Sequence, residues 1–308
     1  MHTQPLRSLV VSALAGALGL AFASAEAGAQ DALQLVKEGT RLERDAEFDE
    51  SLALFHKAVA ADPSLFEAQY ALGRSLDLAG LYDEAREHLQ VALKLADPSA
   101  RDMVRSALAV SYAFEGKPQE AAPYYKQQFD EQSAMGQVTT AAATANALAR
   151  VYLEAGSVGE AETWYRMGYE AGLKTPDLTP AQTDLWEFRW HNAAGRIAAR
   201  RGQLDAAREA AARAKAVLDR GTNPDQAQYL PYLTGYIEFF AGNYRQAIDE
   251  LSKGNLDDPF VAGLIAQAYE KLGDRARARE HYEMVMRAGG HSINAAFSRP
   301  LARAFLKQ

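Results

Sequence analysis

The chain is 308 residues long, 48% apolar and carries a formal net charge of −7, enough apolar material for a substantial core and against disorder as its main state. The acidic balance argues against non-specific nucleic-acid binding. With no cysteine there can be no disulfide, thiolate metal site, cysteine nucleophile or cysteine-linked lipid.

Residues 1–29 read as an export signal peptide. Arg7 supplies positive charge, Leu9 to Phe22 is an apolar run, and small residues follow, giving cleavage after Ala25 or after Ala29. A spanning helix needs about 20 apolar residues, so the run is too short for an anchor, and no later stretch could cross a membrane. No Asn-x-Ser/Thr acceptor occurs. The expected location is therefore the exterior of the cytoplasm, periplasmic or secreted, with a bacterial envelope as the simpler setting.

From residue 30 to 308 the chain repeats itself. Ala61-Asp62-Pro63-Ser64 returns as Ala96-Asp97-Pro98-Ser99, and Glu84-Ala85-Arg86-Glu87-His88 echoes in Arg277-Ala278-Arg279-Glu280-His281. The first unit has Gly39 inside its first helix, a turn at Ala46-Glu47-Phe48, then Phe55 and Ala58, and is closed by Pro63. The second runs through Leu72-Gly73 and Leu76 to Gly80-Leu81-Tyr82, followed by Ala85, Leu89 and Ala92. Further units are centred on Gly116, Gly156, Gly202, Gly242 and Gly273, with Ala121/Tyr125, Ala161/Tyr165, Ala207/Ala211, Ala247/Leu251 and Ala278/Tyr282 in their second helices. Small residues let two helices approach, and Tyr or Phe fills the space beside them.

This pattern resembles the tetratricopeptide repeat family, in about seven units near the family's roughly 34-residue spacing at the ends and longer in the middle. The resemblance implies an all-α fold, a right-handed α-solenoid of stacked helix-turn-helix units. Residues 292–307 form a C-terminal capping helix, interrupted near Pro300, in which Phe297, Leu301 and Phe305 cover the last repeat. Ser64 with Glu67 is expected to cap one helix, and Thr179-Pro180 with Gln182 another that runs to Arg201. Gly172 to Pro180 reads as the clearest linker, and Gly221 to Pro224 as the next hinge.

No chemistry-bearing motif stands out. His56, His88, His191, His281 and His291 form no zinc pattern, and there is no nucleophile elbow or phosphate-cradling loop. Asp257-Asp258 before Pro259 is explained by a helix start. The expectation is no enzyme, no cofactor and no metal.

In the family, the outer face of each first helix lines a concave groove that holds ligands. Carrying that face over residue by residue gives Arg74, Val110, Arg150, Arg196, Tyr236 and Gln267, and one turn earlier Tyr70, Ser106, Asn146, Asn192, Tyr232 and Gly263. Arg189, Asn192, Arg196 and Arg200 share one helix face, and Tyr229, Tyr232, Tyr236 and Phe239 follow at similar spacing. Arginine forks suit carboxylates and asparagine can bond a peptide backbone. The candidate groove is thus Tyr70, Arg74, Asn146, Arg150, Arg189, Asn192, Arg196, Arg200, Tyr229, Tyr232, Tyr236 and Phe239, a basic floor beside an aromatic platform. Its arginines are expected to be exposed, so that reversing the charge of Arg150 and Arg196 would leave the fold intact. The same residues also fit a plainer account, a solvated charged face and a core stripe. The family's carboxylate clamp uses lysines and asparagines of the first three repeats, and the comparable places here include Val36, Thr40 and Ala71, so that recognition mode is not implied.

Three functional readings stay open. The first is an exported scaffold that binds a protein or peptide through its concave groove, an acidic one suiting the groove's arginines. The second is a cell-envelope assembly factor that docks through its convex surface or ends. The third is a glycan-binding module or enzyme built on the aromatic patch.

Overall fold

The computed structural model describes residues 28–308, and the export-signal reading therefore falls almost wholly outside the described residues. Those residues form helices and turns with no strand among them. The helices come in seven consecutive pairs: α1 (28–44) with α2 (Phe48–Ala61), α3 (Phe66–Ala79) with α4 (Tyr82–Leu95), and α5 (Arg101–Phe114) with α6 (Pro118–Ala134). Then follow α7 (Val138–Glu154) with α8 (Val158–Gly172), α9 (Pro180–Arg200) with α10 (Leu204–Leu218), α11 (Tyr229–Phe240) with α12 (Tyr244–Leu251), and α13 (Pro259–Lys271) with α14 (Arg275–Arg287). A single helix, α15 (Ile293–Leu306), ends the chain.

Local chemistry explains the punctuation. Six of the turns inside the pairs use a glycine of positive φ, from Gly80 to Gly273, whereas the first places Ala46 there at φ 63°. Thr179 accepts from the Gln182 backbone and Gln182 returns the bond, so the expected capping box opens α9. The corresponding expectation at Ser64 is corrected. Ser64 donates both its N–H and its hydroxyl to Asp62 Oδ1, at 2.9 and 2.7 Å, in an Asx turn, and α3 starts from Leu65 with no side-chain cap. Gly221 to Pro224 is not a free hinge either. Thr222 donates to Asp184 (2.7 Å) and Asn223 to the Ala181 carbonyl (2.8 Å), which pins the segment to the first turn of α9.

Each pair packs closely because one helix offers a small residue where the other presents a bulky one. A Cβ on Gly73 would stand 2.7 Å from Leu89 Cγ and 3.0 Å from the Ala85 carbonyl oxygen, so only glycine fits at that crossing. The apolar core accordingly runs as a series of overlapping clusters along the stack, from Phe55, Ala58 and Leu72 at one end to Tyr282, Val285 and Phe305 at the other. No helix among the described residues is long and apolar enough to cross a membrane.

The last helix departs from the expected cap. α15 does cover the final pair, with Phe305 against Tyr282, but it also packs across the solenoid onto α5 and α7. Phe297 joins the apolar clusters on both sides, while Leu301 stays 45% exposed. Pro300 lies inside an unbroken helix rather than interrupting it. On α13, Gly263 makes room for this crossing, since a Cβ there would lie 3.0 Å from Ser298 Cβ.

The crossing is tied down by polar groups. Arg299, only 2% exposed, donates to the Met286 and Ala288 carbonyls at the end of α14 (2.8 and 2.9 Å) and to the Leu78 carbonyl at the end of α3 (3.2 Å). Arg303 donates to the same Leu78 carbonyl and to the Tyr82 hydroxyl. His291 Nε2 lies 2.8 Å from Asp77 Oδ2, and Ser111 donates to the other oxygen of that carboxylate. Helix C-termini carry unpaired carbonyls and partial negative charge, so cations are the natural closure. Burial and the neighbouring Arg303 push Arg299 down to about 10, which still leaves it charged at neutral pH. The chain's own C-terminus therefore covers the inner face of α5 and closes the ends of α3 and α14.

Candidate functional site: an arginine-floored cavity on the inner face

Beyond α15 the inner face opens into a cavity of about 470 Å³ between α7, α9 and α11, with Tyr165 of α8 in its wall. The start of α15, at Ile293 and Asn294, forms its remaining side. Three helices supply matching ladders at a spacing of four residues: Asn146, Arg150 and Glu154 on α7; Asn192, Arg196 and Arg200 on α9; Tyr232, Tyr236 and Phe240 on α11. Side chains four apart share one helix face, which is why the ladders converge.

Seven of the twelve candidate residues meet here: Asn146, Arg150, Arg189, Asn192, Arg196, Tyr229 and Tyr232. The others do not line the cavity. Arg200 donates to the Leu153 and Glu154 carbonyls (2.9 and 3.3 Å), capping α7, and its guanidinium lies over the Phe240 ring. Tyr236 is fully buried and donates to Glu154 Oε2 at 3.2 Å. Phe239 packs edge-on and half-buried against Phe240 and Tyr244. Tyr70 and Arg74 lie apart, with the Arg74 guanidinium 5.4 Å from the Tyr70 ring centroid and Glu43 beside them. The α11 aromatics thus form a packed core edge, with only Tyr229 and Tyr232 facing the cavity.

The expected exposure of the arginines is corrected. Arg196 is 5% exposed, because α9 is packed between α8 and α11 and its fourth-residue ladder points inward. Its Nε donates to Asn192 Oδ1 at 3.0 Å and its Nη2 to the Tyr165 hydroxyl at 3.0 Å. Arg150 lies over the Phe260 ring, 4.6 Å from its centroid, and both guanidinium groups flank Tyr232 at 5.7 and 5.9 Å.

One carboxylate serves both cations. Glu154 Oε1 stands 3.0 Å from Arg150 Nε and 3.9 Å from Arg196 Nη1, yet neither N–H is directed at it. At this site four buried polar atoms lack a hydrogen-bond partner among the described residues: Arg150 Nε, Arg196 Nη1, Glu154 Oε1 and the Tyr232 hydroxyl. Burial works against the charge on Arg150 and Arg196, but the surrounding tyrosines and Glu154 hold both above the ordinary arginine value. Burial pushes Tyr232 up to about 12, partly offset by the two arginines, so its phenol stays neutral and able to donate. At the cavity mouth, Arg189 lies 4.9 Å from the Trp186 ring centroid and makes no hydrogen bond or ion pair among the described residues. The cavity thus presents three guanidinium groups and a neutral phenol against a single carboxylate, between aromatic walls. Among the described residues no three potential metal ligands come together.

Sequence reasoning missed Glu154, Tyr165 and the α15 contribution. Glu154 was legible as the third rung of the Asn146–Arg150 ladder. By its spacing Tyr165 is only a packing residue of its second helix, and nothing in the spacing of Ile293 and Asn294 brings them to α7.

Two family models, each described as tetratricopeptide repeat, match residues 36–100 and 261–287, that is, the first two pairs and the seventh. The chain carries tetratricopeptide repeats. A solved tetratricopeptide repeat protein from Parabacteroides merdae is similar in fold, with a TM-score of 0.52 and 13% identity over 90% of this chain and 98% of that one. BtubC from P. vanneervenii is more distant, at a TM-score of 0.44 and 16% identity over 64% of this chain and 92% of its own. No curated protein matches the sequence. In this tetratricopeptide repeat chain the inner face is divided between a self-covered section and an open, arginine-floored one.

Proposed function

We propose that this protein is an exported, non-enzymatic scaffold that binds a protein partner by holding one of its acidic segments at the α7–α9–α11 cavity. Tetratricopeptide repeats in themselves suggest a protein-interaction scaffold. The observation that carries the finer reading is the charge imbalance inside the cavity, where Arg150 and Arg196 face one buried Glu154 and Arg189 stands unpaired at the mouth. A partner carboxylate would complete the unspent donors, and Asn146 and Asn192 are placed to bond the peptide on either side of it.

The test is fluorescence anisotropy with short labelled acidic, neutral and basic peptides at two ionic strengths. Acidic peptides should bind best, and added salt should weaken them. Equal binding of the neutral peptides would remove the reading. For export, N-terminal sequencing of the mature protein should find a start after Ala25 or Ala29. Cleavage after Ala25 would leave the helical residues from 28 onward intact.

A further inference from the structure

Resting on the reading of the cavity as an anion receptor, we infer that it is also a small-molecule site: it takes a free monocarboxylic acid with a compact aromatic or branched apolar body, in competition with the partner's acidic segment. Three observations lead there. The first is charge. Two guanidinium groups against one carboxylate leave a single net positive charge at the buried floor, which matches a monoanion, while the third guanidinium, Arg189, stands at the exposed mouth. Arg150 and Arg196 lie close enough to repel each other, so an anion between them would relieve a standing electrostatic cost.

The second is hydrogen bonding. Arg150, Arg196 and Tyr232 line the cavity, and each keeps a buried donor without a hydrogen-bond partner among the described residues, Arg150 Nε standing 3.0 Å from Glu154 Oε1; a small shift of these side chains would turn the donors to a carboxylate's two acceptor oxygens. An unmade hydrogen bond at a buried group is costly, and a ligand that makes it gains correspondingly.

The third is shape. The space of about 470 Å³ falls in the range of small-ligand pockets, and Phe188, Tyr165, Tyr229 and Tyr232 give it apolar walls. Ile293 and Asn294 at the head of α15 close one side. Asn294 is itself held by donating to Asp258 at 2.7 Å, and α15 is locked by Arg299 and Arg303, so that wall is fixed. A wall fixed on one side limits the length of what can enter, which suits a compact body as well as the tip of an acidic segment.

The experiment is calorimetric titration of the full mature chain with 3-phenylpropionate, with its neutral amide, with inorganic phosphate and with the acidic peptide. The acid should bind, the amide about ten-fold or more weakly, and phosphate not at all; the acid should also displace the labelled peptide. Tyr232→Phe should weaken the acid several-fold, and Arg150→Lys more strongly, with circular dichroism confirming the fold and Arg245→Gln, on the exposed face of α12, as the unaffected control. Affinity for the acid should be flat from about pH 6 to about pH 9, because no titrating histidine lines the site and Tyr232 and the arginines keep their protons there. Equal binding of acid and amide, or displacement of the acid by phosphate, would overturn the inference. Peptide binding without any small-acid binding would overturn it while leaving the acidic-partner reading intact. Small-acid binding without peptide binding would do the reverse.

Discussion

The inner face of this solenoid carries two sets of arginines that the sequence does not distinguish. Arg200, Arg299 and Arg303 spend their donors on backbone carbonyls at the C-termini of α7, α14 and α3. Arg150, Arg189 and Arg196 keep donors unspent around a cavity. Both sets lie on helices, at similar spacing, beside aromatic rings. What separates them is the partner count: a guanidinium facing the carbonyls of a helix end is part of the fold, and one facing a single shared carboxylate has capacity left for a ligand. The contrast also divides the molecule. α15 covers α5 and the end of α3, and beside it a cavity stays open between α7, α9 and α11.

Substitutions can sharpen or break that division. The largest effect is expected of Arg196→Glu, which would bury a second carboxylate beside Glu154 and leave the Tyr165 hydroxyl without its donor. Breaking a buried charge pair costs about 3–5 kcal/mol, so the melting temperature should fall by about 10 °C in a thermal scan. An unchanged melting temperature would mean that Arg196 faces solvent and that the cavity floor is wrongly drawn. Next comes Arg299→Ala. It strips the Met286 and Ala288 carbonyls of this donor and leaves the Leu78 carbonyl to Arg303 alone, for a loss of about 3 kcal/mol, and should raise amide hydrogen exchange at both the end of α3 and the end of α14. Increased exchange confined to α14 would show that α15 is only a terminal cap and that the end of α3 is not closed by it.

Gly73→Leu should follow, at about 1–3 kcal/mol from overpacking against Leu89 and the Ala85 carbonyl, read as a lowered denaturation midpoint. It tests the repeat packing without touching either set of arginines, so ligand affinity in the folded fraction should stay unchanged. Smallest in stability is Arg189→Gln, within about 0.5 kcal/mol as for most surface changes, because the side chain pairs with nothing among the described residues. Its effect should appear in binding, as weaker affinity for acidic ligands and a shallower salt dependence. A large stability loss with unchanged binding would move Arg189 into the structural set.

The seven helix pairs, their turns at Gly80 to Gly273 and the long α9 with its Thr179 cap were legible because each is set by residues a few positions apart. Helix periodicity, a left-handed turn residue or a capping box needs no knowledge of the rest of the chain. The candidate site was legible in part for the same reason, since the Asn146–Arg150 and Asn192–Arg196 ladders are local patterns repeated from one unit to the next.

What sequence could not decide was which ladder rung faces a void and which a neighbour. Tyr236 shares the spacing of Tyr229 and Tyr232 but turns into the core, Phe239 packs half-buried against Phe240 and Tyr244, and Arg200 shares the spacing of Arg196 but caps α7. Nor does local spacing bring Arg299 to Leu78, or Ile293 and Asn294 to the cavity wall, over separations of more than two hundred residues in the first case. These contacts depend on how small rotations between successive pairs accumulate until the last helix returns to the inner face. By itself the sequence determined the repeat, the helix limits and the charge supply. Only the tertiary structure decided where those charges are spent, because the energy of a buried guanidinium is set by the partners packed around it and not by its neighbours along the chain.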